Sequence, residues 1–292
     1  MRRVWGCHPA AAARVAALMW ASGPAWAGNG ANFVLYNHYT EEKGETEVRL
    51  YSDFANVGGV EPDYSAQLLE IEHGVTDFWT AALYLEGTKI EGEHYDFGGF
   101  RVENRVRLFD YGTFLNPVLY VEYEHLKPAS RYIRSVTGRT DGEEEAGAEE
   151  ETEHELETKL ILGHDVSDRF NVAVNWINET NLDSGVWSFG YALGLNYALF
   201  QSAAREDEAT REPGGAADWD IEKVTFGAEL YGGLGDDTRG LTLDPDQTQQ
   251  YLGVNLQTKF ENHLQAGIGG AFGLTRDSQD AILRLYAGYE FE

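Results

Sequence analysis

Large apolar residues alternate with small or polar residues along much of this chain. The alternation is clearest from Gly185 to Leu199, GVWSFGYALGLNYAL, where every second residue is large and apolar. A period of two predicts a strand with two unlike faces. The intervening residues, such as Gly190 and Gly194, are tiny. This pattern is typical of a strand whose apolar face meets lipid while its other face lines a narrow interior.

The same alternation predicts twelve strands. They cover residues 46–55, 64–73, 79–88, 99–109, 116–126, 155–165, 169–179, 186–199, 220–232, 249–259, 263–274 and 281–291. An even number lets both chain ends lie on the periplasmic side, as bacterial barrels require. The sequence therefore predicts an all-β protein, a single antiparallel transmembrane β-barrel over residues 46–292. About twelve strands are expected, with 10 and 14 as the neighbouring counts.

The first residues predict a secretory signal peptide over residues 1–27. A basic start precedes an Ala-rich segment, and Ala25-Trp26-Ala27 forms an A-x-A cleavage site. Residues 28–45 are then expected to be a lead-in on the periplasmic side. An extra strand from Phe33 to Tyr39 is the alternative, and the acidic residues from Glu41 to Glu45 favour the lead-in.

Composition narrows the classes of function. No segment after the signal peptide has the roughly 18 consecutive apolar residues of a membrane helix. The 22 Lys+Arg against 49 Asp+Glu give a formal net charge of −27, which argues against nucleic acid as a partner. The only cysteine, Cys7, lies in the predicted signal peptide, so neither a disulfide nor a thiol site is expected. No cofactor is expected either.

The predicted connections fall into a short set and a long set. Gly74–Asp77, Asp165–Asp168 and Glu261–His263 form tight turns on the periplasmic side. Residues 127–154 and 233–248 form longer extracellular loops. Long outer loops and short inner turns are the usual asymmetry of such barrels. Residues 200–219 are the exception, because the strand count places this long connection on the periplasmic side.

Three segments carry a family resemblance. They are GVTDFWTAALYLEG (Gly74–Gly87), NPVLYVEYEH (Asn116–His125) and the terminal AFGLT…LRLYAGYEF. They resemble proteobacterial outer-membrane β-barrels of uncharacterised function, either transporter-like or porin-like. The resemblance implies the fold and the outer membrane of a Gram-negative bacterium, with lipid and lipopolysaccharide as surroundings. It implies no catalytic residues.

Charged residues on the fourth and fifth predicted strands are the candidate lumen site. This charged ladder comprises Arg101, Glu103, Arg105, Arg107, Tyr120, Glu122 and Glu124. A charge facing lipid near the midplane costs about 2–4 kcal/mol, so these side chains are predicted to face inward. Depending on register, Arg105 and Arg107 should reach Glu122 and Glu124, or Tyr120. The ladder either lines a solute path or forms a salt-bridge network that plugs the barrel; the alternation of acids and bases favours the plug.

Two acidic stretches are candidate cation sites. Asp141–Glu157, DGEEEAGAEEETEHELE, places His154 among carboxylates, and Asp236–Asp246 is similarly acidic. Neither has the ordered ligand spacing of a calcium loop. Both are therefore expected to be solvated extracellular loops, and no metal site is predicted.

Signals for catalysis are weak. Outer-membrane phospholipases, which are also twelve-stranded, carry a His and a nucleophilic Ser two residues apart, and no histidine here has Ser at that position. Neither a G-x-S-x-G nor an H-E-x-x-H motif occurs.

The leading hypothesis is a narrow passive channel or transport accessory for small solutes or cations. The alternative is a non-conducting structural or docking barrel whose acidic loops bind a basic partner or bridging cations. A lipid enzyme is the minor reading, and the oligomeric state stays open.

Overall fold

The chain folds into one closed antiparallel sheet. The computed structural model describes residues 30–56, 64–90, 94–127, 130, 136–140, 152–202 and 219–291. Its strands are β1 (Thr46–Asn56), β2 (Tyr64–Thr76), β3 (Trp79–Ile90), β4 (Asp96–Arg107), β5 (Pro117–Leu126), β6 (Glu153–Ser167), β7 (Phe170–Asn181), β8 (Trp187–Gln201), β9 (Ile221–Asp236), β10 (Gly240–Leu241), β11 (Gln250–Phe260), β12 (Leu264–Gly273) and β13 (Ala281–Phe291). No helix among the described residues is long and apolar enough to cross a membrane.

Twelve of these strands form the barrel wall. Each pairs with its neighbours along the chain, and β1 also pairs with β13 from Thr46↔Phe291 to Asn56↔Ala281, which closes the sheet. The two-residue β10 extends the end of β9 and lies outside the count. The predicted fold class and strand number are confirmed. Strand β9 runs four residues further than predicted, so Asp236 belongs to the wall rather than to an acidic loop.

The outward face of the wall is a band of large apolar side chains. On β8, Leu193 and Leu199 point outward with 42% and 54% of their surface exposed, whereas Ala192 points inward and is fully buried. The same alternation places Leu83, Val102, Leu119, Leu256 and Leu285 on the outside of other strands. Such a band is what lipid chains require of a transmembrane barrel.

The two ends of the barrel differ. At one end, here called the short-turn end, two residues join β2 to β3, two join β6 to β7, and β1 begins. In outer-membrane barrels this end faces the periplasm. The opposite end, the long-loop end, carries the connection from Leu126 to Glu153. Most of the acidic stretch 141–151 and of the long connection 200–219 lies outside the described residues, as does the predicted signal peptide.

Residues 30–41 lie inside the barrel and are named the inner segment. Phe33, Val34 and Leu35 have no exposed surface, and Tyr36 has 1%. The sequence analysis expected a lead-in outside the barrel, or alternatively an extra strand. Burial places residues 30–41 inside the barrel instead, and the described residues 30–45 contain no strand. The segment's apolar side chains and backbone donors find partners on the inward face of the wall.

The wall has two unlike inner halves around this segment. Strands β1–β6 form the charged half, with most of the buried Glu, Asp, Arg and Lys. Strands β7–β9 and β11–β13 form the small-residue half, where glycine, alanine and amide residues are common. Small size leaves room for the inner segment: a Cβ on Gly194 would lie 3.0 Å from Leu35 Cδ2. On Gly163, in β6, it would lie 2.3 Å from His38 Nδ1.

Candidate functional site in the barrel interior

All seven residues of the charged ladder lie in the interior. Each is at most 5% exposed. The β4–β5 register sets Arg101 opposite Glu124, Glu103 opposite Glu122, and Arg105 opposite Tyr120. Alternation along two paired strands brings these side chains to one face, as the sequence analysis reasoned for a strand pair bordered by lipid.

Arg101 holds the acidic side chains of the upper ladder. Its guanidinium lies 2.6 Å from Glu124, 3.6 Å from Glu122 and 3.4 Å from Glu86. Glu86 comes from β3, so the network spans three adjacent strands. Ion pairs of this kind, removed from water, are costly to break on one side because the remaining charge stays buried.

Arg105 pairs with one acid of its own strand and with one acid from outside the predicted hairpin. It forms ion pairs with Glu103, at 2.7 Å, and with Glu72 of β2. Glu122 and Glu124 pair with Arg101 instead, because the register carries Arg105 to the level of Tyr120.

Arg107 lies at the short-turn mouth. It donates to the backbone oxygens of Phe109, at 2.5 Å, and Asp77, at 2.6 Å. Its guanidinium also stands 3.7 Å above the ring of Tyr111. Arg107 therefore binds backbone oxygens and aromatic rings at the short-turn rim, whereas Arg101 and Arg105 bind the acidic side chains further inside.

A second charged cluster on β1 and β2 was missed by the sequence analysis. Arg49 is fully buried and contacts Glu47, Glu70 at 3.4 Å and Glu72 at 3.2 Å. It also lies 3.5 Å from Glu41 of the inner segment. The signal was present in the sequence, because Glu47 and Arg49, like Glu70 and Glu72, are two residues apart on apolar-polar strands.

Three carboxylates of the ladder region lie close enough to share a cation. One oxygen each from Glu122, Glu124 and Glu157 lies within 4.8 Å of the others, and all three residues are buried. Arg101 and Lys159 already neutralise part of this charge, since Lys159 Nζ lies 2.8 Å from Glu157. Hard cations prefer such oxygens, but the ion pairs account for the cluster without one.

His154 does not join this cluster. It begins the same strand as Glu157, but its ring contacts His125 at 4.7 Å between centroids and its Nδ1 lies 2.5 Å from the Tyr123 hydroxyl. Glu153–Glu157 belongs to β6 rather than to a loop. Alternation then sends His154 and Glu157 to opposite faces, so His154 does not stand beside the inward carboxylate of Glu157.

Glu229 of β9 is the main anchor of the inner segment. Its carboxylate accepts three successive backbone N–H groups, from Phe33 at 2.5 Å, Val34 at 3.0 Å and Leu35 at 2.9 Å. Hydrogen bonds to an ionised acceptor are about twice as strong as neutral ones. One wall side chain therefore fixes the turn of the inner segment.

Two further wall side chains bind its backbone. Asn175 accepts from the Tyr36 N–H at 2.7 Å and donates to the Tyr36 carbonyl at 2.9 Å. Arg284 donates to the Asn32 carbonyl at 2.8 Å while pairing bidentately with Asp53. Side chains thus replace the backbone partners that a strand would supply.

Tyr36 connects the inner segment to the charged ladder. Its hydroxyl donates to Glu103 at 2.9 Å. The Lys159 ammonium lies 4.6 Å from its ring centroid, and the Arg105 guanidinium 5.4 Å. Cations near a ring face gain from its quadrupole, more so when they are removed from water.

At the short-turn end, the inner segment is held by polar contacts. Tyr39 donates to Asp165 at 2.5 Å, which together with burial raises the pKa of the tyrosine. The Glu41 N–H donates to Thr80 Oγ1 at 3.0 Å. Burial raises the pKa of Glu41 to about 8, and repulsion from Glu47 acts in the same direction.

A polar cleft lies beside this part of the segment. It is open to the short-turn mouth. Its lining includes Tyr39, Asp165, Lys223, Thr225 and Gln257. The inner segment is therefore packed less tightly toward the periplasm than at Glu229.

Residues 136–140 cover the lumen from the long-loop end. The Gly138 N–H donates to the Phe189 carbonyl at 3.0 Å, and Thr137 donates to Glu179 at 3.1 Å. Arg139 Nε lies 3.1 Å from Asp236. The interior is thus filled by the inner segment in its lower part and overlaid by this stretch above.

Solved structures share the fold. An outer-membrane channel from Pseudomonas putida F1 aligns over 87% of this chain and 98% of its own, with 13% identity and a TM-score of 0.52. A KdgM porin in complex with disordered oligogalacturonate aligns over 84% and 99%, with 12% identity and a TM-score of 0.47. A NanC porin aligns over 84% and 99%, with 10% identity and a TM-score of 0.44. The sequence matches no protein-family model and no curated protein. At these identities the likeness establishes the fold, that of outer-membrane barrels.

Proposed function

We propose that this protein is a passive channel for small polar or cationic solutes in the outer membrane of a Gram-negative bacterium. The observation that carries the proposal is the composition of the interior. The wall alone encloses a space between its charged half and its small-residue half. That space is filled by the inner segment, which is part of this chain but not part of the wall. A barrel built only as a scaffold could fill its interior with wall side chains, as small barrels do. The shared fold with an outer-membrane channel supports the proposal.

The charges of the wall favour cations. Eleven buried carboxylates face six buried cationic side chains on the wall strands: Glu47, Asp53, Glu70, Glu72, Glu86, Glu103, Glu122, Glu124, Glu157, Glu229 and Asp236 against Arg49, Arg101, Arg105, Arg107, Lys159 and Arg284. Rings and rows of acidic side chains select cations in water-filled pores. Motifs for nucleophilic catalysis are lacking, so the proposal is not an enzymatic one.

Planar bilayers test the proposal. The purified mature protein should give single-channel steps, with a reversal potential in a KCl gradient that reports preference for K⁺ over Cl⁻. Glu122→Gln together with Glu124→Gln should reduce that preference, whereas Asp183→Asn, in the exposed turn between β7 and β8, should leave it unchanged. Conduction with anion preference would contradict the role of the carboxylates.

The filled lumen favours a second candidate, a non-conducting barrel whose interior is a structural salt-bridge network. Under this reading neither the mature protein nor a variant lacking the inner segment conducts, although both are folded. The bilayer measurement therefore separates the two candidates.

A further inference from the structure

We propose that the inner segment is a displaceable plug that gates the channel by leaving the lumen toward the short-turn end. The inference rests on the proposed channel function. It deepens that function in two ways. Residues 30–41 close the channel, and the wall side chains that they cover line the path of the solute.

The wall closes without the plug. Strands β1 and β13 pair over eleven consecutive residue pairs, none of which involves the inner segment. The plug is held by Glu229, Asn175 and Arg284, whose side chains bond to its backbone. Because water and ions can take over such polar contacts, withdrawal leaves the barrel ladder intact.

The plug covers the charges that would conduct. Tyr36 sits against Glu103, Arg105 and Lys159. When the plug leaves, these three side chains line the lumen and can meet solute. Plug and permeant ions therefore compete for the same side chains, and high salt should favour the open state.

The segment has a fixed exit. The Gly44 N–H donates to the Gly74 carbonyl at 2.7 Å, and the Gly74 N–H donates to the Glu45 carbonyl at 3.0 Å. Gly44 has φ of +95°, a conformation that glycine adopts without strain. These bonds tie the chain to the barrel rim directly before β1, so a withdrawn plug stays tethered at the short-turn end.

A single cysteine reports plug release. Val34→Cys places the only thiol of the mature chain at a fully buried position, since Cys7 is in the predicted signal peptide. A water-soluble maleimide should label folded Val34→Cys protein slowly. Glu229→Gln should accelerate labelling about tenfold, because a neutral amide oxygen binds the three N–H groups less well. Asp96→Asn, an exposed carboxylate of β4 that is paired with Lys127 at the long-loop end, is the charge-matched control and should not change the rate.

Asn175→Ala gives the same readout if Glu229→Gln does not fold. It removes both bonds to Tyr36 and should also accelerate labelling. Heat-modifiable gel migration checks that each variant is a closed barrel. No labelling in the wild-type background or in either variant, over hours, would overturn the gate in favour of a fixed filling.

A disulfide lock tests the link to conduction. A Cβ on Gly163 lies 2.8 Å from His38 Cβ, close to the spacing a disulfide needs after a small shift. Oxidised His38→Cys/Gly163→Cys protein should be silent in bilayers, and reductant should restore the openings. Each single variant is the control. Openings that persist in the oxidised double variant would overturn the plug while leaving the channel function standing.

Deletion of residues 30–40 completes the set. The deletion variant should stay open continuously, whereas the wild type should open only intermittently. If the deletion variant is a closed barrel and still silent, the channel function itself fails, an outcome distinct from failure of the lock.

Discussion

Arg105 is the residue at which the charged ladder and the inner segment meet. It pairs with Glu72 and Glu103, approaches the Tyr39 carbonyl at 3.5 Å and lies over the Tyr36 ring. Arg105→Ala removes one buried cation from Glu103 and from Glu72, although Glu72 still pairs with Arg49. Destabilisation of about 3–5 kcal/mol is expected if the site excludes water, measured as a lower midpoint in urea by heat-modifiable migration.

The control for that variant is Arg276→Ala, at an exposed position between β12 and β13, where a change within about 0.5 kcal/mol is expected. If Arg105→Ala is as stable as the control but shifts ion selectivity, the arginine contacts water-filled lumen and its role is in the path. Strong destabilisation without altered conductance assigns it to structure.

Glu41 makes plug docking depend on pH. Its pKa is raised to about 8 by burial and by Glu47, partly offset by Arg49 and Arg105. Glu290 of β13 also raises it, and Thr80 binds its N–H without charge. A carboxyl whose pKa is raised on docking stabilises the docked state fully below about pH 4.5. That contribution is lost as the pH rises through about 8.

Labelling of Val34→Cys should therefore become faster between about pH 5 and pH 9, after each rate is divided by that of the urea-unfolded protein to correct for thiol ionisation. Glu41→Gln, which cannot ionise, should flatten this profile. A profile unchanged by the substitution would assign the pH response to other groups.

Single residues were predictable as far as alternation reaches. The faces of Arg101, Glu122 and their neighbours followed from a period of two beside lipid. The partners of Arg105 did not, because Glu72 is two strands away and reaches it only through the curvature of the wall. Sequence spacing shows which residues share one face of a strand. Contacts between side chains of non-adjacent strands depend on how the sheet curves and closes into a barrel.

At the scale of elements, the inward face of β6 fits the inner segment. The three atoms nearest to a Cβ added at Gly163 all belong to His38 of the inner segment. A Cβ added at Gly194 would also clash with the wall itself, 2.2 Å from the Ala228 carbonyl oxygen. Gly163→Leu should therefore dislodge the plug without disturbing the sheet. We expect faster Val34→Cys labelling and more frequent openings, at an unchanged gel midpoint.

Gly270→Leu is the matched control for this substitution. The nearest side-chain atoms to a Cβ at Gly270 belong to Phe272, at 3.6 Å, an ordinary contact on the β12 strand. Labelling and conductance equal to wild type are expected. If Gly163→Leu behaves the same way, the plug is not seated against β6 in solution.

The strands were predictable and the inner segment was not. Long alternation marks β8 and β13 without reference to any partner. Phe33–Tyr39 has apolar residues too, yet its partners are Glu229, Asn175 and Arg284, single polar residues in otherwise ordinary strands. The tiny inward residues of β8 indicated a narrow interior, and the inner segment is what occupies it.

At the scale of the whole molecule, closure makes the barrel independent of its plug. The deletion of residues 30–40 removes buried side chains but no pair of the β1–β13 ladder. The deletion variant should still migrate as a heat-modifiable barrel, with a lower midpoint because Glu229 and Arg284 lose partners. Failure to form a closed barrel would mean that the segment is needed for assembly.

Fold and barrel asymmetry followed from the sequence because they depend on repeated local patterns. Whether the lumen is open could not be predicted, since that depends on where one irregular stretch of twelve residues comes to rest. The acidic net charge argued against nucleic acid as a partner, but it did not predict the ion pairs that neutralise much of the buried charge.

The contacts of the inner segment also set an order of events during biogenesis. The segment precedes every strand in the chain, yet its partners lie 139 residues away at Asn175, 196 at Glu229 and 252 at Arg284. Contacts this distant form late, because the intervening chain must first be ordered. We therefore expect the inner segment, although it comes first in the chain, to settle last, after the barrel has closed around an unplugged lumen.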